Sequence, residues 1–155
     1  MSNIHFKEPE ASFTCRAAAL IIKHNKLLVA KNTQYPLYYT IGGAIEINET
    51  SQEAAVREVY EELGLHMEID KLAFVQERFH KVSEQKHHEV VFFYLMKPGD
   101  INILNGTITD HAQESLHWLP LDELGKFNLV PEFLKTKSFN NITHVEHIIS
   151  REDTP

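Results

Sequence analysis

Three glutamates within five residues are the strongest chemical feature of this sequence. Glu58, Glu61 and Glu62 stand at positions i, i+3 and i+4, so on a helix their carboxylates project from one face within reach of one another. Without a counter-charge such carboxylates repel one another, and burial raises their pKa values further. Because carboxylate oxygens are hard ligands, the cluster favours Mg²⁺ or Mn²⁺, bound together with the phosphates of a substrate.

The residues around the three glutamates decide between this metal site and an ordinary solvated helix face, which is the commoner origin of an acidic stripe. Arg57 is placed to pair with Glu61 one turn later or to reach back to Glu49, which would hold a carboxylate in a fixed orientation. Upstream, Gly42 and Gly43 allow the backbone to approach a ligand or to adopt a positive φ. This context favours the metal site.

A helix over about residues 51–63 must position these side chains. Thr50 followed by Glu53 is a capping box, and Gly64 is a natural C-terminal stop. An apolar stripe at helical spacing should pin the helix onto a sheet. The stripe consists of Ala55, Val56, Val59 and Leu63.

The rest of the chain alternates irregularly between predicted strands and helices. This alternation indicates an α/β or α+β protein, and a mixed sheet between helices is the favoured arrangement. A polar, His-rich loop is expected between the two long strands. The predicted strands are 13–31, as a hairpin with Asn25 in its turn, then 66–80, 88–97 and 114–120, with helices near 121–124 and 131–137 and a weak strand near 144–149.

Length and composition limit the classes of protein that this chain can represent. With 155 residues it is near the commonest size of one domain, so we expect a single domain over residues 1–155. The formal charge of −7 argues against a broad basic face for nucleic acid. Cys15 is the one cysteine, which excludes an internal disulfide. We find neither a signal-peptide core nor an apolar stretch of membrane-spanning length, so we expect a cytoplasmic protein without a membrane partner.

The segment from residue 43 to residue 65 resembles the Nudix box, G-x5-E-x7-R-E-U-x-E-E-x-G-U, in which U is a bulky aliphatic residue. The chain is therefore similar to Nudix hydrolases of the MutT-like group, over about residues 12–137. Ile41 stands where many relatives have proline, and Asn48 where many have glycine; asparagine tolerates left-handed backbone. The matching residues are Gly43, Glu49, Arg57, Glu58, Val59, Glu61, Glu62, Gly64 and Leu65.

This resemblance implies an α/β/α sandwich that hydrolyses nucleotides. In the implied reaction, water attacks one phosphorus of the diphosphate bridge of a nucleotide, with Mg²⁺ as cofactor and Mn²⁺ as an alternative. By the same resemblance Glu58, Glu61 and Glu62 hold one to three metal ions, the backbone carbonyl of Gly43 adds a ligand, and Arg57 keeps the cluster in shape. The ions would neutralise the diphosphate and lower the pKa of an attacking water.

Other residues have weaker claims to the site. The box does not settle the general base, so Glu114 and Asp110 from a later loop compete with the box glutamates. Arg16, within the first strand, either contacts a phosphate or base or faces solvent. Tyr38, like its neighbours Tyr35 and Tyr39, either stacks on a base or packs. We interpret His80, His87 and His88 as polar loop residues, because no metal-ligand spacing joins them.

The expected substrate is a small nucleotide: a nucleoside triphosphate, oxidised or not, or a nucleoside diphosphate derivative. Relatives that cleave ADP-ribose often carry a proline about fifteen residues after the box, and dinucleoside-polyphosphate relatives a tyrosine slightly later. Here His80 and residues 81–83 occupy those places, so neither subclass is favoured. The alternative is a nucleotide-sensing module without hydrolysis; such modules typically lose box carboxylates, and this chain keeps them. The oligomeric state stays open, with a homodimer among the alternatives.

Overall fold

The helix that carries the glutamates has the predicted bounds. In the computed structural model, which describes residues 2–109 and 113–152, α1 spans Ser51–Leu63. Thr50 Oγ1 accepts from the Glu53 backbone N–H at 3.2 Å, and Glu53 Oε2 accepts from the Thr50 backbone N–H at 2.8 Å. Gly64 takes a left-handed φ of 68° and ends the helix. Both caps predicted from the sequence are confirmed.

Twelve strands of the described residues divide between two mixed sheets, where the sequence predicted one. The strands of the first sheet are β1 His5–Lys7, β2 Ala11–Leu20, β6 Ile41–Ala44, β7 Ile69–Val82, β8 Gln85–Met96 and β12 Glu146–Glu152. Their order is β1-β2-β8-β7-β12, and β6 pairs with β2. β2 runs parallel to β8, and β12 runs parallel to β7.

The second sheet holds the shorter strands, and both sheets contribute residues to the two hydrophobic clusters of the core. Its order is β11-β5-β4-β10-β9, with β3 paired to β4. The predicted turn at Asn25 is confirmed by its φ of 60° between β3 and β4. The predicted pairing over residues 13–31 is wrong for the first strand, because Ala11–Leu20 belongs to the first sheet and the partner of β4 in the hairpin is β3. The strands are β3 Ile22–Lys23, β4 Lys26–Asn32, β5 Tyr38–Tyr39, β9 Thr107–Ile108, β10 Glu114–Pro120 and β11 Leu129–Val130.

The expectation of a His-rich loop between the two long strands was wrong. β7 continues to Val82 and β8 begins at Gln85, so the three histidines lie in strands. Their rings stack across the hairpin: His80 on His87 with centroids 4.9 Å apart, and Phe79 on His88 at 4.3 Å. Such cross-strand ring pairs stabilise a sheet, and this outweighs the polarity of the segment.

The two helices expected near 121–124 and 131–137 are both present as short 3₁₀ helices. Leu121–Lys126 and Glu132–Thr136 are 3₁₀ helices, each preceded by a proline that sets the backbone for a turn. The weak C-terminal strand is confirmed as β12, parallel to β7. Among the described residues, no helix combines the length and the apolar character needed to cross a membrane.

Packing of α1 against the first sheet brings the glutamates to the edge of β6. Ala54, Ala55 and Val59 of α1 are fully buried, and the helix contacts β2 and β6. Each Å² of apolar area removed from water contributes about 25 cal/mol, so burial of this face is the main source of helix stability. A helix packed on mixed sheets agrees with the α/β class expected from the sequence.

Candidate functional site

The Arg57 guanidinium contacts three carboxylates, and two of them, Glu49 and Glu61, are the alternative partners that the sequence offered. Nε and Nη2 donate to the two oxygens of Glu49 at 2.7 and 3.0 Å, so this pair is bidentate. Nη1 donates to Glu58 Oε1 at 2.8 Å and to Glu61 Oε2 at 3.2 Å, and Nη2 also donates to the Ala44 carbonyl at 3.0 Å. The hydrogen bonds from Arg57 lower the pKa of Glu49, and those to Glu49 raise the pKa of Arg57. Arg57 thus ties the helix to β6 and to the loop after it.

Gly43 and Glu58 lie so close that a side chain at position 43 would displace the Glu58 carboxylate. A Cβ on Gly43 would lie 2.3 Å from Glu58 Oε1 and 2.6 Å from its Cδ. Burial raises the pKa of Glu58, and the neighbouring Arg57 acts in the opposite direction. The glycine therefore lets a carboxylate of the helix approach the backbone of β6 directly.

Gly42, the residue before Gly43, holds the carboxylate of Glu62. The Gly42 backbone N–H donates to Glu62 Oε1 at 3.0 Å. Gly42 has a φ of 150°, and a Cβ there would lie 2.3 Å from the Ala17 carbonyl oxygen. Burial raises the pKa of Glu62 to about 8, and the negative charges of Glu58 and Glu114 add to this effect.

Glu114 comes to the cluster from the second sheet. It begins β10, and its Oε1 accepts a hydrogen bond of 2.5 Å from the Tyr39 hydroxyl. Burial and this hydrogen bond raise the pKa of Tyr39, so the phenol stays a donor. The negative charge of Glu114 contributes to the raised pKa of Glu62. Asp110, the rival candidate for the base, lies outside the described residues.

A cavity of 230 Å³ opens beside the carboxylates, and Arg16 lies in its wall. The Arg16 side chain is 40% exposed and its Nε lies 3.9 Å from Glu89 Oε1. Its positive charge lowers the pKa values of both Glu58 and Glu62, although burial dominates in each. The polar side chains of the wall are Arg16, Tyr39, Thr40, Gln76, Arg78 and Glu89.

Tyr38 does not lie in the cavity wall, where a residue that stacks on a base would be expected. Its ring packs edge-on against His117 and Phe127, with centroid distances of 5.6 and 5.7 Å, and Lys31 Nζ lies 5.1 Å from the ring centroid. Successive residues of a strand point to opposite faces, so Tyr39 occupies the position at the site instead.

Each of the three helix carboxylates is held by a protein partner. Within residues 2–109 and 113–152, no three His, Cys, Asp or Glu side chains converge as a ready-made metal site. Glu58 and Glu61 contact Arg57, and Glu62 accepts from Gly42. The donor set nevertheless fits a hard divalent cation, because the carboxylates of Glu58 and Glu62, both with raised pKa values, lie against adjacent glycines. Asn48 has a φ of 68°, so asparagine accommodates the turn that relatives make with glycine.

The sequence predicted no role for four polar side chains of the cavity wall, which are Thr40, Gln76, Arg78 and Glu89. A signal existed for Gln76 and Arg78, because polar residues at alternate positions of a long central strand share one face. That face would otherwise be apolar, as Phe74 on it is.

The chain is similar in sequence to known proteins. Residues 14–138 match the sequence model of the NUDIX domain. The CTP pyrophosphohydrolase of Escherichia coli K12 is 27% identical over 118 residues, which cover 74% of this chain and 81% of that protein. Diphosphoinositol polyphosphate phosphohydrolase 3-alpha of Mus musculus is 35% identical over 89 residues, covering 55% of this chain and 52% of the relative, so the match spans about half of that protein.

Solved structures agree in fold. A MutT protein from Bacillus halodurans superposes with a TM-score of 0.64, covering 89% of this chain and 90% of that chain at 12% identity. At this identity the likeness concerns the fold alone.

Proposed function

Because the chain belongs to the Nudix family of hydrolases, we propose that it is a pyrophosphohydrolase that cleaves the diphosphate bridge of a small nucleotide with Mg²⁺ or Mn²⁺. One observation carries the proposal. The carboxylates of Glu58 and Glu62 lie against Gly43 and Gly42, and Gly42 lines a cavity whose wall also holds Arg16. A diphosphate bound beside Gly42 would meet metal-ligating oxygens and a guanidinium together.

Glu58, Glu61, Glu62 and the Gly43 carbonyl would hold the cation. When bound, a divalent cation neutralises charge on a diphosphate and makes a nearby water more acidic. Arg57 keeps Glu58 and Glu61 in place, since its Nη1 donates to both. Glu62 is fixed separately by Gly42, so the ligands are positioned by two independent contacts.

Glu114 is our proposed general base, and Tyr39 holds it. The Tyr39 hydroxyl occupies Glu114 Oε1, which leaves Oε2 to accept a proton from the attacking water. The water oxygen forms a bond to phosphorus, the bridging P–O bond breaks, and its electron pair leaves with the departing phosphate. Arg16 contacts the negative oxygens of the bridge and stabilises the charge that develops there.

The names of the relatives support a diphosphate substrate. One hydrolyses CTP and another acts on diphosphoinositol polyphosphates, and a phosphoanhydride is what such substrates share. We propose a nucleoside triphosphate or a nucleoside diphosphate derivative for this chain. A single domain over residues 1–155, a cytoplasmic location and the absence of nucleic-acid and membrane partners stay predictions, and the homodimer stays an open alternative.

A nucleotide panel tests the proposal. Purified protein is incubated with each nucleotide and Mg²⁺ or Mn²⁺, and the products are separated by chromatography. A monophosphate with pyrophosphate indicates cleavage of a triphosphate, and a monophosphate with a phosphorylated sugar indicates cleavage of a derivative. Glu61→Gln and Glu62→Gln should each abolish turnover, whereas Glu84→Gln, at a side chain that is 99% exposed, should not. Full turnover in both of the first two variants would contradict the assigned roles, and nucleotide binding without turnover would favour the sensing module.

A further inference from the structure

Gln76 is a fully buried polar side chain in the wall of the cavity. Its relative exposure is 0%, and on β7 its partners across the sheet are Val91 of β8 and Ile148 of β12. Nε2 donates to Ser150 Oγ at 2.8 Å, whereas Oε1 has no hydrogen-bond donor within reach in the described part of the chain. A buried acceptor without a donor is costly, so an occupant of the cavity is the natural source of one.

Gln76 lies across the sheet from Arg16. Arg16 of β2 pairs with Val91 of β8, and Val91 pairs with Gln76 of β7, so the three form one row on the same face. Adjacent strands are about 4.8 Å apart, which places Gln76 about 10 Å from Arg16. A nucleotide whose diphosphate meets Arg16 can therefore extend its base toward Gln76, over the apolar surface of Val91 and Phe93.

The charges in the wall favour an uncharged occupant at the Gln76 end. Arg78 is paired with Glu89 at 3.2 Å and with Glu152 at 2.7 Å, so its charge is already compensated. Of the described residues that line the cavity, none is a lysine or a histidine. Several additional phosphates, as on a polyphosphorylated ring, would meet no free cations here. A neutral heterocyclic base meets two acceptors, Gln76 Oε1 and Glu89 Oε1, the second of which lies 3.9 Å from Arg16 Nε.

We propose that Gln76 determines base specificity and that the preferred bases carry an exocyclic amine. This inference deepens the proposed nucleotide hydrolysis and rests on it. The amine of cytosine or adenine donates to Gln76 Oε1. The keto oxygen that replaces this amine in uracil or hypoxanthine is itself an acceptor. It would face Gln76 Oε1 with no proton between the two oxygens.

Matched pairs of substrates test the inference, because CTP and UTP, or ATP and ITP, differ at this group. We expect kcat/KM to favour the amine-bearing member of each pair by about 10- to 100-fold, the ratio that one unpaired buried acceptor produces. Gln76→Met keeps the approximate volume and removes the acceptor, so the ratio should fall close to one. Gln52→Met, the same change at an exposed position of α1, should keep the wild-type ratio. Equal rates within both pairs, or a preference for UTP and ITP, would overturn the inference.

Binding without hydrolysis separates this inference from the proposed function. The metal-free protein is titrated with CTP and with UTP in EDTA, and heats of binding are measured. Tighter binding of CTP that is lost in Gln76→Met supports the inference even where no nucleotide is hydrolysed. Turnover of all nucleotides with equal affinities for CTP and UTP contradicts it and leaves the hydrolase function intact. If Gln76→Met does not fold, the wild-type ratios and affinities still decide.

Discussion

Replacing Glu62 by glutamine should stabilise the metal-free protein at alkaline pH and abolish its activity. Burial raises the pKa of Glu62 from 4.5 to about 8. The folded protein then holds a proton that the unfolded chain has released between these pH values, so stability falls as pH rises through this range. Each pKa unit corresponds to about 1.4 kcal/mol, so ionising Glu62 costs the folded state up to about 5 kcal/mol above pH 8.

Glutamine removes this cost and keeps the contact. Its Oε1 can still accept from the Gly42 N–H, as Glu62 Oε1 does at 3.0 Å. For a chain of this length, 1 kcal/mol changes Tm by about 2–4 °C. We therefore expect Glu62→Gln in EDTA to melt up to about 10–20 °C above the wild type at pH 8.5 and close to it at pH 5.

Thermal unfolding followed by circular dichroism, in EDTA and in Mg²⁺, measures this difference. Mg²⁺ should raise the Tm of the wild type more at pH 8.5 than at pH 5, because the cation binds the ionised carboxylates of the folded state. Glu84→Gln, which removes the same charge from an exposed site, should show the wild-type profile. A difference in Tm between the wild type and Glu62→Gln that does not grow with pH would refute the reasoning.

Three further substitutions test the positioning of the carboxylates. Arg57→Lys cannot reproduce the bidentate contact and should weaken Mg²⁺ binding and kcat about 10- to 100-fold; unchanged Mg²⁺ affinity by calorimetry would show that Arg57 serves stability alone. Gly43→Ala places a Cβ 2.3 Å from Glu58 Oε1 and should displace that carboxylate, with loss of turnover at a Tm that still shows a folded protein; wild-type kcat in this variant would contradict the role of the close contact between Gly43 and Glu58. Tyr39→Phe removes the hydrogen bond to Glu114 and should lower kcat at least about 10-fold, with little change in KM; a change confined to KM would remove Glu114 from the proposed role of base.

Local features of the sequence predicted the helix and its charge cluster well. The capping box at Thr50 and the stop at Gly64 act within a few residues, so the helix bounds follow from neighbours in the chain. The pairing of Arg57 with Glu49 and Glu61 was also foreseen, because both partners lie near it along the chain. Where the outcome depended on strand register, as for the His-rich stretch, the prediction was wrong.

The sequence by itself determined which side chains could bind a divalent cation, since their spacing along one helix face and the glycines before it follow from the covalent order. Only the tertiary structure decided what faces those side chains. Tyr39 rather than Tyr38 reaches Glu114, although Tyr39 and Glu114 are 75 positions apart in the chain. Gln76 lies across the sheet from Arg16, 60 positions away, because strand pairing places both on one face. A residue's face on a sheet changes with a shift of one position in register, and packing of the whole chain sets that register.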